Sequence, residues 1–219
     1  DRLAKGAIEL GVVGDFDEAQ VIDLVGKTLG ALPPREPVFG TFAGQPPRLF
    51  TANRTPRLLR HTGPKDQALL RLTWPSRDDS DPVETIALSL LERIVRTELT
   101  ETLREKLGKA YSPSASSSTS RYWRGYGVFG LAASVAVAEV PAARTAIAET
   151  MARLRDAPIS ADELQRARQP MIEAQDNALK SNRGWMALTA RAQSEADRID
   201  RFLKAKERLL ALSPAIGWG

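Results

Sequence analysis

From position 127 onward the side chains alternate in kind. Phe129, Leu131, Ala133, Val135 and Val137 are apolar, and Gly130, Ala132, Ser134 and Ala136 between them are small. A period of two belongs to a strand, so one face of this segment packs a core while the other lets a neighbouring backbone come close. The residues before it read as its frame. Leu103-Arg104-Glu105-Lys106-Leu107-Gly108 looks like the last turns of a helix with Gly108 at a left-handed stop, after which Tyr111 opens an extended segment close to Arg104. Two polar side chains are then fixed at one edge of a sheet. The serines at Ser112, Ser114, Ser116, Ser117, Ser118 and Ser120 fit either a flexible linker or a solvent-facing strand.

The other elements follow from periodicity and punctuation. Residues 7–13 are an apolar run ended by Gly14-Asp15, which reads as a buried strand and turn; no further glycines follow to make a phosphate cradle. Asp15 or Asp17 caps a helix carrying Val21, Leu24, Val25, Thr28 and Leu29 on one face, and Pro33, Pro34 and Pro37 end it. Residues 57–61 and 68–74 read as strands around Gly63-Pro64, the second with Leu70, Leu72 and Trp74 on one face and Leu69, Arg71 and Thr73 on the other. Asp81 caps a long helix from Pro82 with an apolar stripe of Val83, Ala87, Leu90, Leu91, Ile94, Leu99, Leu103 and Leu107, opposite a solvated face of Glu92, Arg96 and Glu105.

Three helical segments follow in the last third. Val140, Ala143, Ile147, Met151 and Leu154 mark one that Pro158 stops. Ser160 and Glu163 form a capping box for the next, which Pro170 should kink. After a short amphipathic piece over residues 185–192, Ile199, Phe202, Leu203, Leu209 and Leu210 mark a last helix.

Composition excludes several chemistries. With no cysteine there is no disulfide, thiolate metal site or cysteine nucleophile, and His61, the only histidine, cannot make a metal site without further ligands. The 31 basic and 27 acidic residues give a net charge of only +4, and the one basic and aromatic cluster, Arg121, Tyr122, Trp123, Arg124 and Tyr126, reads as a strand-pair edge, so no nucleic-acid partner is expected. No apolar run approaches the roughly 18 residues of a membrane span.

The order of motifs resembles the C-terminal half of the insulinase, pitrilysin and mitochondrial-processing-peptidase family of zinc metallopeptidases. That half carries an Arg, a Gly and then a Tyr seven residues after the Arg, which here are Arg104, Gly108 and Tyr111. Gly14-Asp15-Phe16-Asp17, Asp66-Gln67-Ala68 and Pro158-Ile159-Ser160-Ala161-Asp162-Glu163-Leu164 match its flanking signals in the same order. The resemblance implies an α+β fold with a mixed, largely antiparallel sheet and helices packed on one face. It implies that residues 1–36 are the closing strand and helix of a preceding homologous domain, 37–56 a linker, and 57–219 a C-terminal domain that stops before its last helix and strand.

The family's inverted His-x-x-Glu-His zinc motif is absent here. The resemblance therefore implies a non-catalytic C-terminal domain of a metalloendopeptidase, with zinc expected in an N-terminal half or partner subunit. Such a domain forms part of a peptide-binding chamber and supplies Arg104 and Tyr111 to the substrate. The alternative is a catalytically inactive scaffold or binding subunit of the same fold. Bacterial relatives of this kind are often exported, so the resemblance implies the periplasm, with the cytoplasm as the alternative. A strand from residues 7–13 is also expected to fill the vacant sheet position, within one chain or exchanged in a homodimer.

Overall fold

The computed structural model describes residues 2–39, 44, 46–60, 62–63, 66–108 and 113–214; His61 and Tyr111 lie outside the described residues. In chain order the elements are α1 (Arg2–Lys5), α2 (Glu18–Lys27), β1 (Gln67–Ser76), α3 (Pro82–Leu107), β2 (Ser114–Thr119), β3 (Gly127–Ala136), α4 (Val140–Asp156), α5 (Ala161–Ala178), α6 (Asn182–Thr189), α7 (Arg198–Leu203) and α8 (Ala205–Ala211). The chain forms two compact units, residues 46–171 with 207–219, and residues 1–45 with 172–206.

The first of these holds the sheet. Its three strands run antiparallel in the order β1-β3-β2, so the alternating strand lies in the middle. Register follows the apolar pattern: Leu70 faces Ala133, Leu72 faces Leu131, Trp74 faces Phe129, and from the other side Ala115 also faces Leu131. Phe129, Leu131, Ala133 and Val135 are all buried. Val137, expected to continue them, falls instead in a short 3-10 turn after β3 and is exposed, because the strand ends at Ala136. Gly127 has a steric reason to be glycine: a Cβ there would lie 1.9 Å from the Arg77 carbonyl oxygen.

Helices α3 and α4 cover the apolar face. Leu103, Ala133, Val135, Ala143 and Ala146 form one buried cluster, joined by the partly buried Leu70, Leu107 and Val140. The start of α3 is capped as expected, Asp81 Oδ1 accepting from Val83 N at 2.8 Å. At its end Gly108 adopts φ 65° and donates its N–H to the Arg104 carbonyl at 3.0 Å. The stripe differs from the expected one at two positions: Val95 is fully buried, while Val83, in the first turn of α3, is exposed.

Glu92 corrects the reading of a merely solvated face. Its Oε2 accepts from Ser117 N at 3.0 Å and Ser117 Oγ at 3.3 Å, so the carboxylate satisfies a backbone donor of β2 that the ladder leaves unused. The capping box of α5 is formed reciprocally: Glu163 N donates to Ser160 Oγ at 3.1 Å and Ser160 N to Glu163 Oε2 at 2.6 Å. The helix runs on through Pro170.

The second unit contains several long-range polar ties. Arg35 donates to the carbonyls of Gly6 and Ala4 at 2.7 and 3.0 Å, Gln193 N donates to Glu9 Oε1 at 2.9 Å, and Gln175 Nε2 to the Phe202 carbonyl at 2.8 Å. Asp17 caps α2, accepting from Gln20 N at 2.8 Å. None of the described side chains of residues 1–45 is buried.

Three expectations fail here or nearby. Residues 7–13 form no strand, and neither do 57–60. An apolar run supplies strand propensity, but a strand exists only when a ladder partner takes its backbone groups, and no described strand pairs with either segment. The expected last helix is two helices, α7 and α8, separated at Lys204.

Candidate functional site

The sheet has two unlike faces. Odd positions of β3, with Ala115 of β2, point into the helix-covered core, so even positions of β3 lie on the other side. That side carries Val128, Gly130, Ala132 and Ser134, flanked by Arg71 and Thr73 of β1 and by Ser114, Ser116 and Ser118 of β2. A Cβ placed on Gly130 would meet Ser116 Oγ at 3.3 Å and Thr73 Cγ2 at 3.8 Å, so these three residues are neighbours on one surface. Both α3 and α4 lie on the opposite side, and Leu69 on this one is 67% exposed. The small residues of β3 therefore do not serve close packing by α3 or α4.

Short side chains on an uncovered sheet face make a shallow, hydroxyl-lined surface. It can admit an extended chain closely, with donors and acceptors from serine and threonine beneath it. Arg71 adds a cation near its middle, with no hydrogen-bond or ion-pair partner among the described residues.

Beyond this surface, the ends of the strands are tied into one corner. After β1, Asp78 Oδ2 accepts from Gly125 N at 2.7 Å and Oδ1 from Ser80 N at 3.0 Å and Ser80 Oγ at 2.5 Å. The Ser80 hydroxyl first, and then these N–H groups, hold the Asp78 carboxyl below its ordinary range. Asp79 pairs with Arg121 at 3.1 Å. Gly125 takes φ 68°, which lets the β2–β3 connection turn back.

Aromatic rings gather at the same corner. Phe50 stacks on Tyr126 with centroids 4.6 Å apart and planes 7° from parallel, and Trp123 meets Tyr126 edge-on at 6.4 Å. The Arg48 guanidinium carbon lies 4.4 Å from the Tyr126 centroid and 5.2 Å from that of Trp123. The sequence placed Tyr122, Trp123 and Tyr126 at a strand-pair edge, and Trp123 and Tyr126 lie in the β2–β3 connection. It gave no sign of Arg48 or Phe50, which come from the expected linker and meet the rings only through the fold.

Of the expected substrate-binding residues the structure describes one. Arg104 stands exposed in the last turn of α3, with no side-chain partner among the described residues. Tyr111 lies outside the described residues. Among the described residues no group of three or more His, Asp or Glu side chains could hold a metal ion.

A third cluster lies where α3, α4 and α5 meet. Arg153 Nη2 sits 2.6 Å from Glu98 Oε2 and 3.3 Å from Glu163 Oε1. Burial, and then a hydrogen bond shared with Glu163, push the Glu98 carboxyl up, while the Ser160 hydroxyl above all draws Glu163 down to about 2. This is a structural tie, covered by helices and apart from the open sheet face.

Comparison with protein families decides the kinship. Residues 3–171 match the model described as the peptidase M16 inactive domain. The chain belongs to this family. The peptidase M16 inactive domain is the non-zinc-binding C-terminal domain of insulinase-type zinc proteases, in agreement with the resemblance carried by Arg104, Gly108 and Tyr111. Solved structures agree on the fold. The periplasmic protease PqqL from Escherichia coli superposes with a TM-score of 0.68 at 18% identity, over 91% of this chain and 22% of that one. A predicted insulinase-family protease from Yersinia pestis gives 0.57 at 16%, over 91% and 45%. A peptidase M16 inactive domain from Pseudomonas fluorescens gives 0.52 at 19%, over 69% and 39%. The chain thus spans less than half the length of each. No curated protein matches it. No described helix is long and apolar enough to cross a membrane.

Proposed function

We propose that this peptidase M16 inactive domain forms one wall of a peptide-binding chamber in a zinc-dependent endopeptidase, the metal and its general base being supplied by an N-terminal half or partner subunit. The observation that carries this reading is the one-sided sheet, covered by α3 and α4 on its apolar face and lined on the other by Gly130, Ala132, Ser116 and Thr73. A wall of this kind accepts varied extended peptides, because it offers hydroxyls and room rather than shaped pockets. Arg104, and with it Tyr111, is assigned to the substrate: a guanidinium and a phenol can hydrogen-bond a peptide carbonyl as negative charge develops on it. A periplasmic setting is supported by the kinship in fold with a protease of that compartment.

On this reading the exposed apolar side chains Ile8, Leu10 and Val12, which form no strand here, are covered by another domain or by a second copy of the chain. Turnover is the test for Arg104 and Tyr111. In the protein assembled with its zinc-bearing half, Arg104→Ala or Tyr111→Phe lowers turnover by about tenfold or more while melting is unchanged. Unchanged turnover with a lowered melting temperature assigns both residues to structure, whereas no turnover at all in the assembled protein, wild type included, favours the inactive scaffold.

A further inference from the structure

The corner made by Trp123 and Tyr126 is a cation site already occupied by the chain itself. Tyr126 precedes β3, and its carbonyl accepts from Ser120 N at 2.9 Å, which continues the ladder by one residue. Counting in twos from Gly130 and Val128, Tyr126 shares the parity of the open sheet face. The Arg48 guanidinium lies against its ring at 4.4 Å and against Trp123 at 5.2 Å, within the range where the ring quadrupole attracts a cation. A planar guanidinium also stacks on such faces in a way that an ammonium does not.

What holds Arg48 there is slight. Residues 46–50 have no secondary structure, and no hydrogen bond of theirs exists among the described residues. The ring and cation contacts that hold them are those of Arg48 and the Phe50–Tyr126 stack, while Leu49 between them is 80% exposed. Contacts of this kind are individually weak, so the segment can lift without disturbing the hairpin, which Asp78 and Asp79 hold independently.

We propose that the Trp123–Tyr126 corner is an arginine subsite at the end of the open sheet face, and that Arg48 fills it as an internal stand-in until an arginine side chain of an extended peptide takes its place. This deepens, and rests on, the reading of that face as a peptide-facing wall. The exchange replaces one guanidinium by another, so the local balance of Arg48, Arg121 and Arg124 against Asp78 and Asp79 is kept. It selects arginine over uncharged residues, and over lysine by the stacking that only the planar group makes.

The test is calorimetric titration of the full chain with two blocked pentapeptides, Ala-Ala-Arg-Ala-Ala and Ala-Ala-Gln-Ala-Ala. Removing the stand-in by Arg48→Gln should tighten binding of the arginine peptide by about tenfold and leave the glutamine peptide unchanged. Adding Trp123→Leu to that variant should erase the gain; Trp123 is 38% exposed, so the hairpin tolerates the change. Equal binding of the two peptides, or an arginine-peptide affinity that Arg48→Gln leaves within twofold, overturns the subsite while the wall reading stands. Failure of both peptides to bind any variant overturns the subsite and counts against the wall as well.

Discussion

Glu163 offers the sharpest check on the electrostatics of the helical layer. Its carboxylate accepts from Ser160 N at 2.6 Å and from Arg153 Nη2 at 3.3 Å, and it is drawn down to about 2 from the usual 4.5. Such a carboxyl is worth at most about 3 kcal/mol at neutral pH. A depressed carboxylate stabilises fully above its unfolded value and loses that contribution as pH falls through its folded one. For values of 4.5 and about 2, less than half of that contribution is left at pH 3. Capping residues typically contribute about 1 kcal/mol, so Glu163→Ala is expected to cost about 1–3 kcal/mol at pH 7, or about 3–9 °C of melting temperature for a chain of this size. Urea denaturation of both proteins at pH 7 and pH 3 reads the difference directly. The gap should shrink by half or more at pH 3. An equal gap at both pH values would mean that the side chain acts by packing alone, and the charge argument would be wrong.

Glu98 has the opposite sign. Its carboxyl is raised by burial, so it stabilises below its unfolded value and that contribution is lost as pH rises through the folded one; Glu98→Gln should therefore raise the urea midpoint at pH 8 and leave it unchanged at pH 4. Leu103→Ala, at a fully buried position under the sheet, should cost about 2–5 kcal/mol in the same assay. Gly127→Ala should destabilise more than Gly130→Ala, because the first Cβ meets the Arg77 backbone at 1.9 Å and the second only a Ser116 hydroxyl at 3.3 Å; paired thermal melts decide this.

Wherever a side-chain period or a cap determines structure locally, the sequence was legible. The alternation through β3, the Asp81 and Asp17 caps, the Ser160–Glu163 box and the left-handed Gly108 each express an interaction among residues within a few positions of one another. What could not be read depends on distant partners. Residues 7–13 and 57–60 have strand-like composition, but composition does not supply a neighbour. Glu92 looked like any exposed helix carboxylate, and only the fold brings it to Ser117, 25 positions away. The Arg48 contacts bridge an even wider gap. Of the candidate site, Arg104 was legible as the last turn of a capped helix, but its role came from the resemblance, since spacing alone is equally met by a basic residue favoured at a helix C-terminus.

The Glu92 contact gives the sheet a direction of growth. A strand that tried to add beside β2 would have to displace a carboxylate already bonded to Ser117 N, and would leave that charge to find another partner beneath the helix. No comparable guard among the described residues stands along the outer side of β1. Extension of this sheet, whether by a neighbouring domain, a second copy or a misfolded chain, is therefore steered to one flank. Replacing a single helix residue, Glu92, would open the other.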